Sequence, residues 1–426
     1  MTDHRITELG SGVRIVTEAV PSVRSVSLGY WIGTGSRGES DAQAGLSHLI
    51  EHLLFKGTER YESLEIDQLF DGMGAELNAG TGKETTSVYS RVIDEHLDLA
   101  FDVMSEMVFK PSFVDIDSER EVILEEIAMY EDDPQDRIFD VLGEAVFGDH
   151  PLGRAIIGTR DVVAGTPVDA IRAFHDERYV ASNIVIAAAG AIDHDQLVEL
   201  AATRVPNGAR SADAPVPLAA PAALAPRVRF EAKDTEQYHV CIGGPGIARD
   251  DERRYALRVL DTVFGGTSSS RLFQEVREKR GLAYAVYSFS GQFADSGQVG
   301  LYVGTRADNL APALEVVAQE LERLQREPAT AEELQRAKEN LKGRVVLSME
   351  SMGARMNKLG ANVLAGTPLL SIDEVVEQID GVTLDTIAEL AHELFAPQLL
   401  STAGIGPDES VFRAALGPLS NTPAGA

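Results

Sequence analysis

"LSHLIEHLLFKGT" (Leu46–Thr58) and "YALRVLDTVFGGT" (Tyr255–Thr267) lie over one another at a constant offset of 209 residues. Phe55 faces Phe264, Gly57 faces Gly266 and Thr58 faces Thr267, while His48, Glu51 and His52 face Leu257, Leu260 and Asp261. Both stretches carry apolar residues at helical spacing, so one amphipathic helix is written twice. The second copy fills two of the three titratable places with leucine. A duplicated unit looks this way when only one copy keeps chemistry.

Outward from that pair, the two halves agree in element order. The first runs from an alternating strand ("SVSLGYWIG") through two helices to strands "GAELNAG" and "TSVYSRVI", then two long helices from about Asp94 to Tyr130. The second runs from "QYHVCIGGP" through helices across Tyr255–Arg280 to strands "LAYAVYSFS" and "GQVGLYVGT", then helices across Leu310–Met349. Period-two strands with apolar helices returning between them predict an α+β chain. We expect two homologous α/β-roll domains, each an antiparallel-rich sheet packed with helices. Between them, "VPNGARSADAPVPLAAPAALAPRVRF" (Val205–Phe230) is too rich in proline and alanine for a regular element and reads as a linker. The expected division is a metal-binding domain over 1–205, a linker over 206–229 and a domain without metal ligands over 230–426.

The totals agree with this division. A chain of 426 residues, 44% hydrophobic and 25% charged, suits two soluble domains of roughly 200 residues each. Its net charge of −29 argues against nucleic acid or an anionic membrane as the main partner and would draw cationic peptides to an acidic cleft. Cys241 is the only cysteine, which excludes a disulfide framework and a cysteine-based zinc site and suits a reducing compartment. The opening "MTDHRITELGSGVRIVTEAV" has no apolar run of a signal peptide, and no 18-residue apolar span occurs. These features, with abundant Ala, Gly and Arg, lead us to expect a bacterial cytoplasmic protein.

His48 and His52 are one helical turn apart, so their imidazoles share a face and can share a zinc ion at about 2.0–2.1 Å. Glu51 stands beside them, placed to act as general base on a water that the metal activates. H-x-x-E-H is the inverzincin signature. In "DIDSEREVILEEIAMYEDD" (Asp115–Asp133) the residues Glu119, Val122, Ile123, Glu126, Ile127 and Tyr130 fall on one helical stripe. A carboxylate on a buried stripe must be protonated, paired or bound to a cation. Glu126 is therefore the expected third ligand, and Glu119 the group that supports a ligand or substrate.

"GLSHLIEHLLFKGT", "GAELNAGTGKETTSVYSRV", "SEREVILEEI" and "SSRLFQEVREKRGLAYAVYS" together resemble the pitrilysin / mitochondrial processing peptidase family, in its short bacterial form. The segments stand in the family's order and cover most of the chain. The resemblance implies one Zn2+ per chain on His48, His52 and Glu126, with Glu51 as base and Glu119 as helper. It also implies that substrate pairs with an edge strand at Asn78 and Ala79, and that Arg277 and Tyr284 stabilise the oxyanion at the scissile carbonyl. Family members enclose peptides in a chamber of four such domains, so a homodimer is expected, with Arg277 and Tyr284 serving the same chain's zinc or the partner's. The implied activity is a zinc metalloendopeptidase acting on peptides or unfolded segments, with basic or presequence-like peptides favoured. Two other readings stand beside it: a catalytically inactive scaffold subunit, and a peptide-binding chaperone.

Overall fold

The computed structural model describes residues 4–206 and 219–419. In the first sheet, β1 (His4–Glu8), β2 (Arg14–Ala19), β3 (Ser25–Ile32), β4 (Glu76–Thr81), β5 (Thr86–Ile93) and β6 (Ile184–Gly190) lie in the order β1-β2-β6-β3-β5-β4. The second sheet holds β7 (Val228–Ala232), β8 (Gln237–Gly246), β9 (Ala285–Gln292), β10 (Gly297–Arg306) and β11 (Ser401–Gly406) in the order β7-β11-β8-β10-β9. Apart from β1, the sheets correspond strand for strand in order and pairing sense. A parallel pair, β2 with β6 or β7 with β11, is followed by antiparallel pairings out to the hairpin edge, β4 or β9. The duplication seen in the two helices therefore extends to the whole α+β unit.

The division of the chain is less simple than the expected contiguous domains. One unit comprises Met1–Ala128, Ala155–Leu218 and Val346–Ile372, and the other Met129–Arg154, Ala219–Val345 and Asp373–Ala426. Both sheets are covered on two faces. In the first unit Leu28, Tyr30 and Val88 meet Leu49 and Ile50 of the helix Leu46–Leu53 and Phe101 of the helix Leu97–Phe109. On the opposite face Val16, Val185, Ala187 and Ala189 meet Met356 and Leu359 of the helix Met352–Ala365. Covering on both faces explains why β6, "IVIAAAG", is buried throughout rather than alternating. Close approach is built in: a side chain on Gly29 would meet the Met356 sulfur at 2.6 Å, and one on Gly360 would collide with Trp31.

In the second unit the helix Pro134–Phe147 covers the corresponding face, its Ile138 and Leu142 packing on Cys241, Tyr302, Ala403 and Ile405. Each copy of the fold thus sends the helix that follows its long pair to the other copy's sheet. An apolar helix face is satisfied by either of two similar sheets, which is why periodicity cannot assign it. Half of the expected linker 206–229, residues 207–218, lies outside the described residues, and its last two positions, Val228 and Arg229, belong to β7. No helix among the described residues is long and apolar enough to cross a membrane.

Candidate active site

The helix Leu46–Leu53 is held by its buried face. Leu46, Leu49, Ile50 and Leu53 enter the core, which leaves His48, Glu51 and His52 together on the partly open face. Its start is fixed by Glu39, a buried carboxylate whose two oxygens accept from the amides of Gly45 at 2.8 Å and Ser47 at 2.7 Å. A carboxylate there satisfies orphan donors and opposes the positive end of the helix. Gly45 has φ of 106°, a left-handed value in which a side chain would also press on the Ile157 carbonyl at 2.8 Å.

The helix Ile116–Asp132 delivers the second set of groups. Its buried residues are Ile116, Glu119, Ile123 and Ile127. Val122, expected on the buried stripe, is 50% exposed, and the Glu126 side chain is 45% exposed. Glu126, expected on the apolar stripe, stands at its margin, turned towards the histidines. Glu126 Oε2 lies 3.8 Å from His48 Nε2 and 3.5 Å from His52 Nε2. Ligands about 2.0–2.1 Å from a tetrahedral ion lie about 3.3 Å from one another, and these three ligand atoms lie within 4.8 Å of one another, so a modest contraction would let them share one cation. His48, His52 and Glu126 form the one such cluster among the described residues.

Electrostatics suit a metal. Burial, and then the neighbouring His52, lower the His48 pKa to about 4, so its imidazole is neutral near pH 7, the form that coordinates. Among the described residues its buried Nδ1 has no hydrogen-bond partner. His52 turns Nδ1 to Glu119 Oε2 at 3.4 Å, and Glu119 Oε1 meets Lys56 Nζ at 2.8 Å. Burial raises the Glu51 pKa, opposed by a hydrogen bond from the Thr81 hydroxyl to Glu51 Oε2.

Asn78 and Ala79 lie on β4 at the sheet edge, paired on one side with Tyr89 and Val88 of β5. The Asn78 side-chain oxygen accepts from the Ala79 amide at 2.8 Å. A cleft of about 910 Å³ adjoins this edge, lined by Leu77, Asn78, Trp31, Phe70, Tyr89 and Met356. In the second unit, Arg277 belongs to a π-helical turn, Phe273–Glu278. Its guanidinium lies 4.8 Å from the Phe273 ring centroid and 4.4 Å from that of Tyr284, and it donates to the Tyr284 carbonyl at 2.8 Å. Tyr284 is 77% exposed. Leu257 and Leu260, which replace His48 and Glu51, are core residues, and Asp261 accepts from Ser288 Oγ at 2.5 Å.

Three contributors were not singled out from sequence. Glu39 carried a signal, an acid shortly before a helix. Lys56, four residues after His52, carried no signal beyond its charge. Thr81 carried none, because its contact with Glu51 spans 30 residues.

A profile described as Insulinase (Peptidase family M16) matches residues 14–160, spanning all the groups gathered around His48. One described as Peptidase M16 inactive domain matches residues 167–341. Proteins named as uncharacterized zinc proteases are similar over nearly the whole chain. That of Streptomyces coelicolor is 44% identical over 411 residues, 95% of this chain and 89% of that one. That of Bacillus subtilis is 39% identical over 403 residues, 93% and 98% of the two. A protease from Helicobacter pylori shares the fold with a TM-score of 0.89 at 22% identity, covering 95% of this chain and all (100%) of that one. A peptidase M16 inactive domain from Pseudomonas fluorescens gives 0.88 at 23% identity, with 95% and 98% covered. With both family profiles present and such relatives along its length, the chain belongs to peptidase family M16, the pitrilysin family of zinc proteases.

Proposed function

We propose that the protein is a zinc-dependent endopeptidase with one zinc per chain, held by His48, His52 and Glu126, and with Glu51 as general base. The observation that carries the reading is the convergence of two imidazole nitrogens and one carboxylate oxygen beside a fourth group, Glu51, that ligates nothing. Zinc held there supplies Lewis-acid polarisation of a peptide carbonyl and makes a water more acidic. Glu51 takes that water's proton and passes it to the departing amine, with the Thr81 hydroxyl fixing its carboxylate. Glu119 Oε2, 3.4 Å from His52 Nδ1, orients the ring so that Nε2 faces Glu126 and the metal position.

The substrate in this reading is an extended peptide added to the free edge of β4 at Asn78 and Ala79, its side chains entering the adjoining cleft. The net charge of −29 supports a preference for basic, presequence-like segments. The proposal keeps the transition-state role that family resemblance implies for Arg277 and Tyr284, a homodimeric assembly and a bacterial cytoplasmic setting. The test is removal and return of the metal. Chelation is expected to abolish cleavage of an unfolded protein and a stoichiometric amount of zinc to restore it. Cleavage that persists after the metal is gone refutes the reading. Mapping cut sites in a peptide library tests the charge preference, which fails if basic residues are not enriched around them.

A further inference from the structure

We propose that Lys56 is a positioning residue of the metal centre, acting through Glu119 on His52. The inference rests on the reading of His48, His52 and Glu126 as zinc ligands. Glu119 is buried, and its two oxygens face different partners: Oε1 meets Lys56 Nζ at 2.8 Å and Oε2 meets His52 Nδ1 at 3.4 Å. A carboxylate removed from water needs a partner for each oxygen and compensation for its charge. Lys56 supplies both on one side, which leaves the other oxygen turned to His52.

The chain holds Lys56 in that place through its backbone. After the helix Leu46–Leu53, the amide of Phe55 bonds the His52 carbonyl at 3.2 Å and that of Lys56 bonds the Leu53 carbonyl at 3.1 Å, so the turn brings Lys56 back over the ligand face. Gly57 follows with φ of 117°, reversing the chain. Its carbonyl accepts from the Ser112 amide at 3.0 Å, and Thr58 bridges to Pro111. Residues 111–112 lead directly into the helix Ile116–Asp132, which carries Glu119 and Glu126. Lys56 and Glu119 are therefore docked by main-chain bonds that do not depend on their side chains. The relay Lys56–Glu119–His52 orients the imidazole so that Nε2 faces Glu126. Polar groups behind a metal ligand typically govern metal affinity by tenfold or more.

The experiment measures zinc release from the full-length, zinc-loaded protein to a chromogenic chelator. Lys56→Met and Lys56→Gln are expected to release zinc about tenfold faster than wild type, and Lys56→Arg at the wild-type rate. Adding Lys56→Met to Glu119→Gln is expected to bring no further acceleration, because the lysine acts through the glutamate. Wild-type release from both folded neutral variants overturns the proposal, as does a double variant whose effects multiply. A wild-type protein that binds no zinc overturns the metal reading itself. A zinc-loaded wild type with unchanged Lys56 variants overturns only the role of Lys56.

Discussion

Glu51 is half inside the protein because the face of the helix that holds it also holds His48 and His52, and that face borders the core. Burial pushes its carboxyl pKa up, while the Thr81 hydroxyl opposes that shift. A hydrogen bond to a charged group contributes about 1.5–3 kcal/mol, so losing it from a reacting carboxylate is worth roughly a factor of ten or more in rate. Thr81→Val is expected to keep zinc and lower kcat about tenfold, with Thr81→Ser recovering most of it. A Thr81→Val enzyme with full turnover would remove Thr81 from the mechanism. At this scale much was legible in the sequence. His48, Glu51 and His52 lie within one helical stretch, and Glu119 and Glu126 lie two turns apart on another, so helical geometry alone relates the members of each set. The contact of Thr81 with Glu51 was not legible, since strand β4 reaches the helix only through the tertiary fold. Glu126 falls at the edge of its stripe and not inside it, because a periodic stripe locates its centre better than its margin.

Helices in the second unit are fixed by charge as well as by apolar faces. Arg271 is almost fully buried and forks onto Glu333 at 2.8 and 2.7 Å, binding the segment before the π-helical turn to the helix Ala331–Ser348. Burial alone would raise the Glu333 pKa, but hydrogen bonds from Arg271 and Thr330 outweigh it and hold the value at about 2, below the ordinary 4.5. A carboxyl depressed in the folded state stabilises the fold above its unfolded pKa, and this contribution is lost as pH falls towards the folded value. Glu333→Gln is accordingly expected to cost about 3 kcal/mol at pH 7, since it takes the paired carboxylate from a buried guanidinium. The deficit should shrink as pH falls from about 4.5 towards 2. Denaturant melts of both proteins across that range provide the check. A deficit that does not vary with pH would mean that the pair contributes shape rather than charge.

For the molecule as a whole, duplication was visible in "LSHLIEHLLFKGT" and "YALRVLDTVFGGT", yet the exchange of helices between the copies was not. A fragment of residues 1–205 lacks Met356 and Leu359, so the sheet face of Val16, Val185, Ala187 and Ala189 would be left to water. Such a fragment is expected to bind a hydrophobic dye and to lack a cooperative thermal transition, whereas the whole chain unfolds cooperatively. A fragment that melts sharply and binds no dye would show that the helix Met352–Ala365 is dispensable to the first unit. The exchange makes the first sheet depend on a helix from the second half of the chain. The central claim is that Glu51 performs proton transfer at a zinc held by His48, His52 and Glu126. Zinc content and peptide turnover measured together on Glu51→Gln test it most directly. The account predicts one zinc per chain, as in the wild type, and a turnover lower by about 10²–10⁴. Undiminished hydrolysis by a zinc-loaded Glu51→Gln protein would contradict it.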